Sequence, residues 1–177
     1  MYQILLVVTL SLLCLANSVL LQSVCTPVDV SELDLHYVGK VNGTSLYTNL
    51  GNAGMSFQDA IDFCHYFGFT PVIIESEDVD VMLNDFLNRV SVNSTYNTRP
   101  FWLSLSDNET EGSFAWSHNN TPLQGYINWA ENSPVTDPDN GPRINCVSVQ
   151  QFVGGLKCVW INLPCDSTCW RPLCSRQ

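Results

Sequence analysis

The chain has 177 residues, with 7 basic and 17 acidic side chains and a formal net charge of −10. That balance excludes the broad basic surface that nucleic-acid backbones and anionic membranes require. The length suits one domain with a buried core.

Residues 4–21 (ILLVVTLSLLCLANSVLL) are uncharged and almost wholly apolar. Such a run, ending in small residues, reads as a secretory signal peptide. Ala16 and Ser18 occupy the −3 and −1 positions for cleavage after Ser18. This gives a signal over 1–18, an N-terminal lead over 19–35 and a domain over 36–177. The rival reading is an uncleaved anchor, since the run approaches the ~18 apolar residues that can span a bilayer. An anchor usually has a basic flank, and Met1-Tyr2-Gln3 supplies none. No second apolar run follows. The expectation is a secreted, extracellular chain without membrane insertion after cleavage.

Residues 36–49 alternate around an Asn42-Gly43 turn, a hairpin signal. Ser56 opens a helix as its cap, with Asp59 in the first turn. Phe57, Ala60, Ile61, Cys64 and Phe67 share one helical face, and Gly68 ends the run. A short buried strand follows over 71–74, and a second helix over 78–89 with Val79, Met82, Leu83 and Phe86 on its apolar side. Beyond Pro100 the pattern is strand-like: 101–105, 113–116, 146–150 and 157–160, with turn residues at Asn119-Asn120. Between Trp129 and Cys146 lies a stretch rich in Pro, Asp, Asn and Gly. Helices first, strands later and one long irregular loop make an α+β pattern. Such a loop in a compact domain is usually a binding loop or disordered.

Eight cysteines are present, and Cys14 would leave with the signal. Five of the remaining seven crowd into residues 146–174. In a secreted chain that clustering reads as a disulfide framework. Zinc is a poor competitor, because the cluster has no CxxC pair and no neighbouring His. Sequons begin at Asn42, Asn93, Asn108 and Asn119, so glycosylation is expected at some of them.

Phe101-Trp-Leu-Ser-Leu-Ser-Asp107, then Glu111-Gly112, then Phe114-Ala-Trp116, resemble the central signature of C-type lectin-like domains. Trp129 followed by Pro134, Trp160 followed by Cys165, and the closing Cys174 match further family landmarks. Residues 56–76 resemble the family's first helix and following strand, so the resemblance covers about 36–174. It implies a C-type lectin-like fold: two helices, antiparallel sheets and a long ligand-binding loop, stapled by Cys64–Cys174 and Cys146–Cys165. Cys158 and Cys169 remain nearby and are expected to pair as an added staple. Cys25 is then odd. It bridges two chains as a homodimer, caps a small thiol or stays free.

Sugar-binding members hold calcium with side-chain oxygens, as this hard cation demands. Their ligand triplet falls here on Ser133-Pro134-Val135, with Pro134 expected in a cis turn. The Glu position two before the cysteine is Ile144, and the Asn-Asp pair is Ile161-Asn162. Only Asn162 and Ser133 could offer oxygen, and neither is charged. The resemblance therefore implies a dismantled sugar-site calcium centre. The longer loop leaves Glu131, Asp137 and Asp139 open to different recruitment. Asp137-Pro-Asp139-Asn-Gly141 hints at an EF-hand, but its glycine comes one place early and its twelfth position is Ser148. Asp107 and Glu111 match two acids of an auxiliary calcium site, with Asn145 where a further acid is common. The structural alternative is a turn cap and a bend.

His36, His65 and His118 are scattered, and no GxSxG, HExxH or phosphate loop occurs, so no enzymatic role is expected. Trp102, Trp116, Trp129 and Trp160 fall at family core positions. Trp170 is either an exposed platform for a ligand or a half-buried rim residue. The leading expectation is a secreted recognition module that binds a glycan or protein without a calcium bridge. Its binding candidates are Glu131, Asp137, Asp139, Asn140, Arg143, Asn162 and Trp170. The alternatives are a calcium-dependent lectin with a rearranged site and a structural subunit dimerised through Cys25.

Overall fold

A computed structural model describes residues 34–51, 54–92, 100–135, 144–151 and 157–177. The expected signal, the lead as far as residue 33, Cys25 and the Asn93 sequon lie outside them.

Among the described residues, two antiparallel sheets and two helices make up the fold, in line with the α+β pattern. The first sheet has the order β1-β2-β9-β3: β1 (His36–Val41), β2 (Thr44–Thr48), β9 (Leu173–Arg176) and β3 (Thr70–Pro71). The second has the order β6-β5-β4-β7-β8. Its strands are β4 (Phe101–Ser106), β5 (Ala115–Trp116), β6 (Thr121–Pro122), β7 (Cys146–Gln151) and β8 (Cys158–Leu163). Helix α1 spans Phe57–Tyr66 and α2 spans Glu77–Val92.

The β1–β2 turn has Asn42 at φ 49° and Gly43 at φ 86°. Paired positive φ angles match the right-handed twist of the flanking strands. Ser56 caps α1 in a reciprocal box: the Asp59 amide donates to Ser56 Oγ at 3.2 Å, and the Ser56 amide donates to Asp59 Oδ2 at 3.4 Å. Two free helix donors are thereby satisfied. Helix α2 is longer than its apolar pattern suggests. Glu77, Asp78 and Asp80 load its first turn and Arg89 its last, in line with the helix dipole. It lies against β1, where Arg89 Nη2 donates to the Val38 carbonyl at 3.3 Å. Gly39 makes room there, since a Cβ would overlap the Met82 sulfur. The strand expected at 71–74 is shorter than its apolar run: Pro71 has no amide to donate, and beyond it only the Val72 amide still reaches the Leu173 carbonyl.

Buried residues form two clusters. The larger gathers Leu83, Phe86, Phe101, Leu103, Trp116 and Trp160 between α2 and the second sheet. The smaller packs Phe57, Phe63, Phe69 and Trp102 around α1. Cys64–Cys174 ties α1 to β9, and Cys146–Cys165 ties the start of β7 to the turn after β8. With loops of 110 and 19 residues, the chain-entropy account gives ~4–5 and ~3 kcal/mol.

The third expected staple does not form. Cys158 is a free, buried thiol, and Cys169 is disulfide-bonded without it. Strand alternation explains why. Cys158 and Trp160 both point into the larger cluster. Cys169 lies across from Gly54, where a Cβ would strike the Cys169 Cα, beside the smaller cluster.

Candidate functional site

The long loop leaves the second sheet beside β8. Trp129 and Trp160 form a parallel bridge: the Trp160 amide donates to the Asn128 carbonyl and the Ala130 amide to the Trp160 carbonyl, both at 2.8 Å. The Trp129 ring packs 5.8 Å from Trp160 and 5.0 Å from Phe114. The chain then turns through Asn132, at φ 64°, into a cis Ser133–Pro134 peptide bond.

At this point β8 delivers Asn162, which is 7 % exposed. Its Oδ1 accepts from the Val135 amide at 2.8 Å. Its Nδ2 donates to the Val135 carbonyl at 2.7 Å and to the Ile144 carbonyl at 2.8 Å. One neutral amide thus clamps both margins of the loop. It grips Val135 and Ile144, two of the positions whose side chains lack ligating oxygens. All the usual hydrogen-bonding directions of the carboxamide except one acceptor lone pair are used.

These residues do not fit calcium. A hard divalent cation takes six to eight oxygens, with carboxylates among them. Here Asn162 spends its oxygen on a backbone amide, Val135 and Ile144 are aliphatic, and Ile161 stands where a carboxylate is expected. No group of three or more His, Cys, Asp or Glu among the described residues could hold a metal. Glu131 is exposed on the turn before the cis bond. Asp137, Asp139, Asn140 and Arg143 lie outside the described residues.

The auxiliary candidates are partly brought together. The Asp107 amide donates to the Asn145 carbonyl at 3.1 Å, so the two residues are neighbours, and both side chains are buried. Asp107 Oδ2 accepts from the Gly112 amide at 2.9 Å, closing the 107–112 turn, with Gly112 at φ 75°. Glu111 is exposed. A turn-closing role for Asp107 is therefore visible directly.

Trp170 is half-buried. Its ring meets Trp102 edge-on at 6.0 Å, and its carbonyl accepts from the Met55 amide at 2.8 Å. It belongs to the smaller core cluster and is not an open platform.

A polar centre behind the loop was not anticipated from the sequence. Asp80, 4 % exposed, accepts at Oδ2 from Tyr126 Oη (2.9 Å) and Asn128 Nδ2 (2.8 Å), and at Oδ1 from Trp160 Nε1 (3.3 Å). Burial raises its pKa above the usual carboxylate value, and the three donors only partly oppose this. Burial and the adjacent Asp80 likewise push the Tyr126 hydroxyl up. Beside this centre the Cys158 thiol is pushed up to about 12, first by burial and then by the Asp80 charge. The available signal was helical spacing: Asp80 shares a face with Leu83 and Leu87, so its carboxylate had to enter the core. The centre fixes Asn128 and Trp160, which are the two sides of the loop's base.

Comparisons with known proteins agree with this geometry. Residues 53–171 match the family described as Lectin C-type domain. Among solved structures, the carbohydrate-recognition domain of mouse scavenger receptor C-type lectin is 22 % identical, with TM-score 0.56, covering 80 % of this chain and 94 % of that one. The cow CD23 carbohydrate-recognition domain, studied in the presence of a GlcNAc2Man3 oligosaccharide, is 26 % identical, with TM-score 0.55, covering 85 % and 97 %. Human lithostathine is 18 % identical, with TM-score 0.59, covering 78 % and 95 %. A comparison with curated protein sequences returns no match. With its family match spanning most of the chain, and with the two sheets, the cis proline and the paired cysteines in place, this chain belongs to the C-type lectin domain family.

Proposed function

We propose that this chain is a secreted recognition protein that binds a glycan or protein ligand through its long loop, without a calcium bridge. The family supports binding rather than catalysis, and the mouse scavenger receptor and cow CD23 structures that it resembles are carbohydrate-recognition domains. The observation that carries the calcium-free reading is the Asn162 clamp. Three hydrogen bonds to the loop backbone stand where a metal-bridged site needs free oxygens. The apolar run at residues 4–21 supports secretion, and Glu131 begins the surface that ligand would meet.

The test is a glycan array probed with the secreted protein in calcium and again in chelator. The expected result is binding that chelator leaves unchanged. Chelator-sensitive binding would overturn the calcium-free reading. Binding to no glycan at all would leave the protein-ligand branch, checked by pull-down of cell-surface proteins in chelator.

A further inference from the structure

A groove of about 450 Å3 lies between α1 and the β4–β5–β6 edge of the second sheet. The described loop-binding candidates, Glu131, Asn162 and Trp170, do not line it. Its size falls within the ~300–1,000 Å3 of small-molecule sites. Two kinds of surface meet in it. Phe57 and Ile61 of α1 give an apolar floor, while Ser106, Ser113, Ser117 and Asn120 of the sheet side offer hydroxyls and an amide. That pairing suits a pyranose, whose ring has apolar faces and a rim of hydroxyls. His65 and His118 also face the groove. Burial first, and then the neighbouring His65, lower the His118 pKa, which favours the neutral imidazole that can bond hydroxyls.

Asn108 is itself a lining residue, and it opens an Asn-Glu-Thr sequon. It is exposed, and its Nδ2 lies 3.8 Å from the Cys146 sulfur. We propose that this groove is the seat of the chain's own N-linked glycan, carried on Asn108. The inference rests on the secretory routing above. During transfer the Asn108 amide nitrogen forms a bond to the anomeric carbon of a sugar on a glycosyl-diphospholipid donor. That nitrogen loses one proton to a base, and the lipid diphosphate leaves with the electron pair of the broken C–O bond. A tethered sugar needs little intrinsic affinity, because a short linkage gives an effective concentration of ~mM. An open, polar groove with modest contacts is therefore enough to hold it.

The experiment expresses the full chain in mammalian secretory cells and maps each sequon by mass spectrometry. Peptide-N-glycosidase then acts on the native protein, its Ser113→Trp variant and the denatured chain. Ser113 is exposed on the groove wall, so the indole fills the groove without entering the core. Unchanged circular dichroism checks the fold. The expected result is an occupied Asn108 whose glycan leaves the native protein about fivefold or more slowly than it leaves native Ser113→Trp, the difference vanishing on denaturation. Equal native rates overturn the proposal. So does an unoccupied Asn108 in a protein glycosylated at another sequon. A chain retained in the cell with no sequon occupied overturns the secretory routing as well, which separates the two failures.

Discussion

Replacing Asn162 by Ala tests the clamp. The substitution removes three hydrogen bonds of 2.7–2.8 Å while leaving β8 intact. A typical bond contributes ~1 kcal/mol net, and a buried group left unpaired costs more. Val135 is 47 % exposed, so its amide and carbonyl regain water. Ile144 is half-buried and regains less. The sum is a loss of about 2–3 kcal/mol, or roughly 5–12 °C in melting temperature for a domain of this size. Urea denaturation gives the global value. Amide hydrogen exchange gives the local one, with Val135 losing protection while the β7–β8 amides keep theirs until global unfolding. Calcium and chelator should leave both the wild type and Asn162→Ala unchanged. A loss below about 0.5 kcal/mol, or calcium-dependent protection of Val135 in the wild type, would refute the clamp.

Three further outcomes concern the Cys158 thiol, the Asp80 carboxyl and the Ser56 cap. Native protein should hide the Cys158 thiol from Ellman's reagent at pH 8, and unfolding should expose one thiol that Cys158→Ser lacks. Asp80 has a raised folded pKa, so its contribution is fully present below the unfolded value of ~3.9 and is lost as pH rises through the folded value. Between pH 3.5 and 7 the wild type should therefore lose stability relative to Asp80→Asn as pH rises, and the opposite slope in paired denaturation curves refutes the burial argument. Ser56→Ala removes the reciprocal cap of α1 and should cost ~1 kcal/mol by urea denaturation, with Asp59→Ala giving a smaller loss.

The framework was legible because its signals are local and ordered. The Ser56 cap, the Asn42-Gly43 turn and the apolar faces of both helices each follow from short spacings. The tryptophans and framework cysteines add family landmarks at fixed separations. The stripped ligand set was also readable, since Val135, Ile144 and Ile161 carry no ligating oxygen wherever the loop places them. Less legible was what replaces the ligands. Asn162 could be named as a remaining donor, but its three backbone partners are 18 to 27 residues away in sequence. The Cys158–Cys169 pairing failed because proximity in sequence says nothing about facing. One residue lies in the alternation of β8 and the other beside Gly54. Asp80 was hidden among the first-turn acids of α2, where dipole compensation explains Glu77 and Asp78 but not a carboxylate turned inward.

The Asn162 amide has a consequence for when the domain can work. A binding surface assembled on a metal comes apart when the metal is withdrawn or its carboxylates are protonated, so its ligand can be released by a change of compartment. A carboxamide does not titrate across the physiological range, and it owes nothing to the ionic milieu. The clamp on Val135 and Ile144 is thus the same in calcium-rich and calcium-poor fluids. On the proposed reading, withdrawal of calcium would not release a ligand held there.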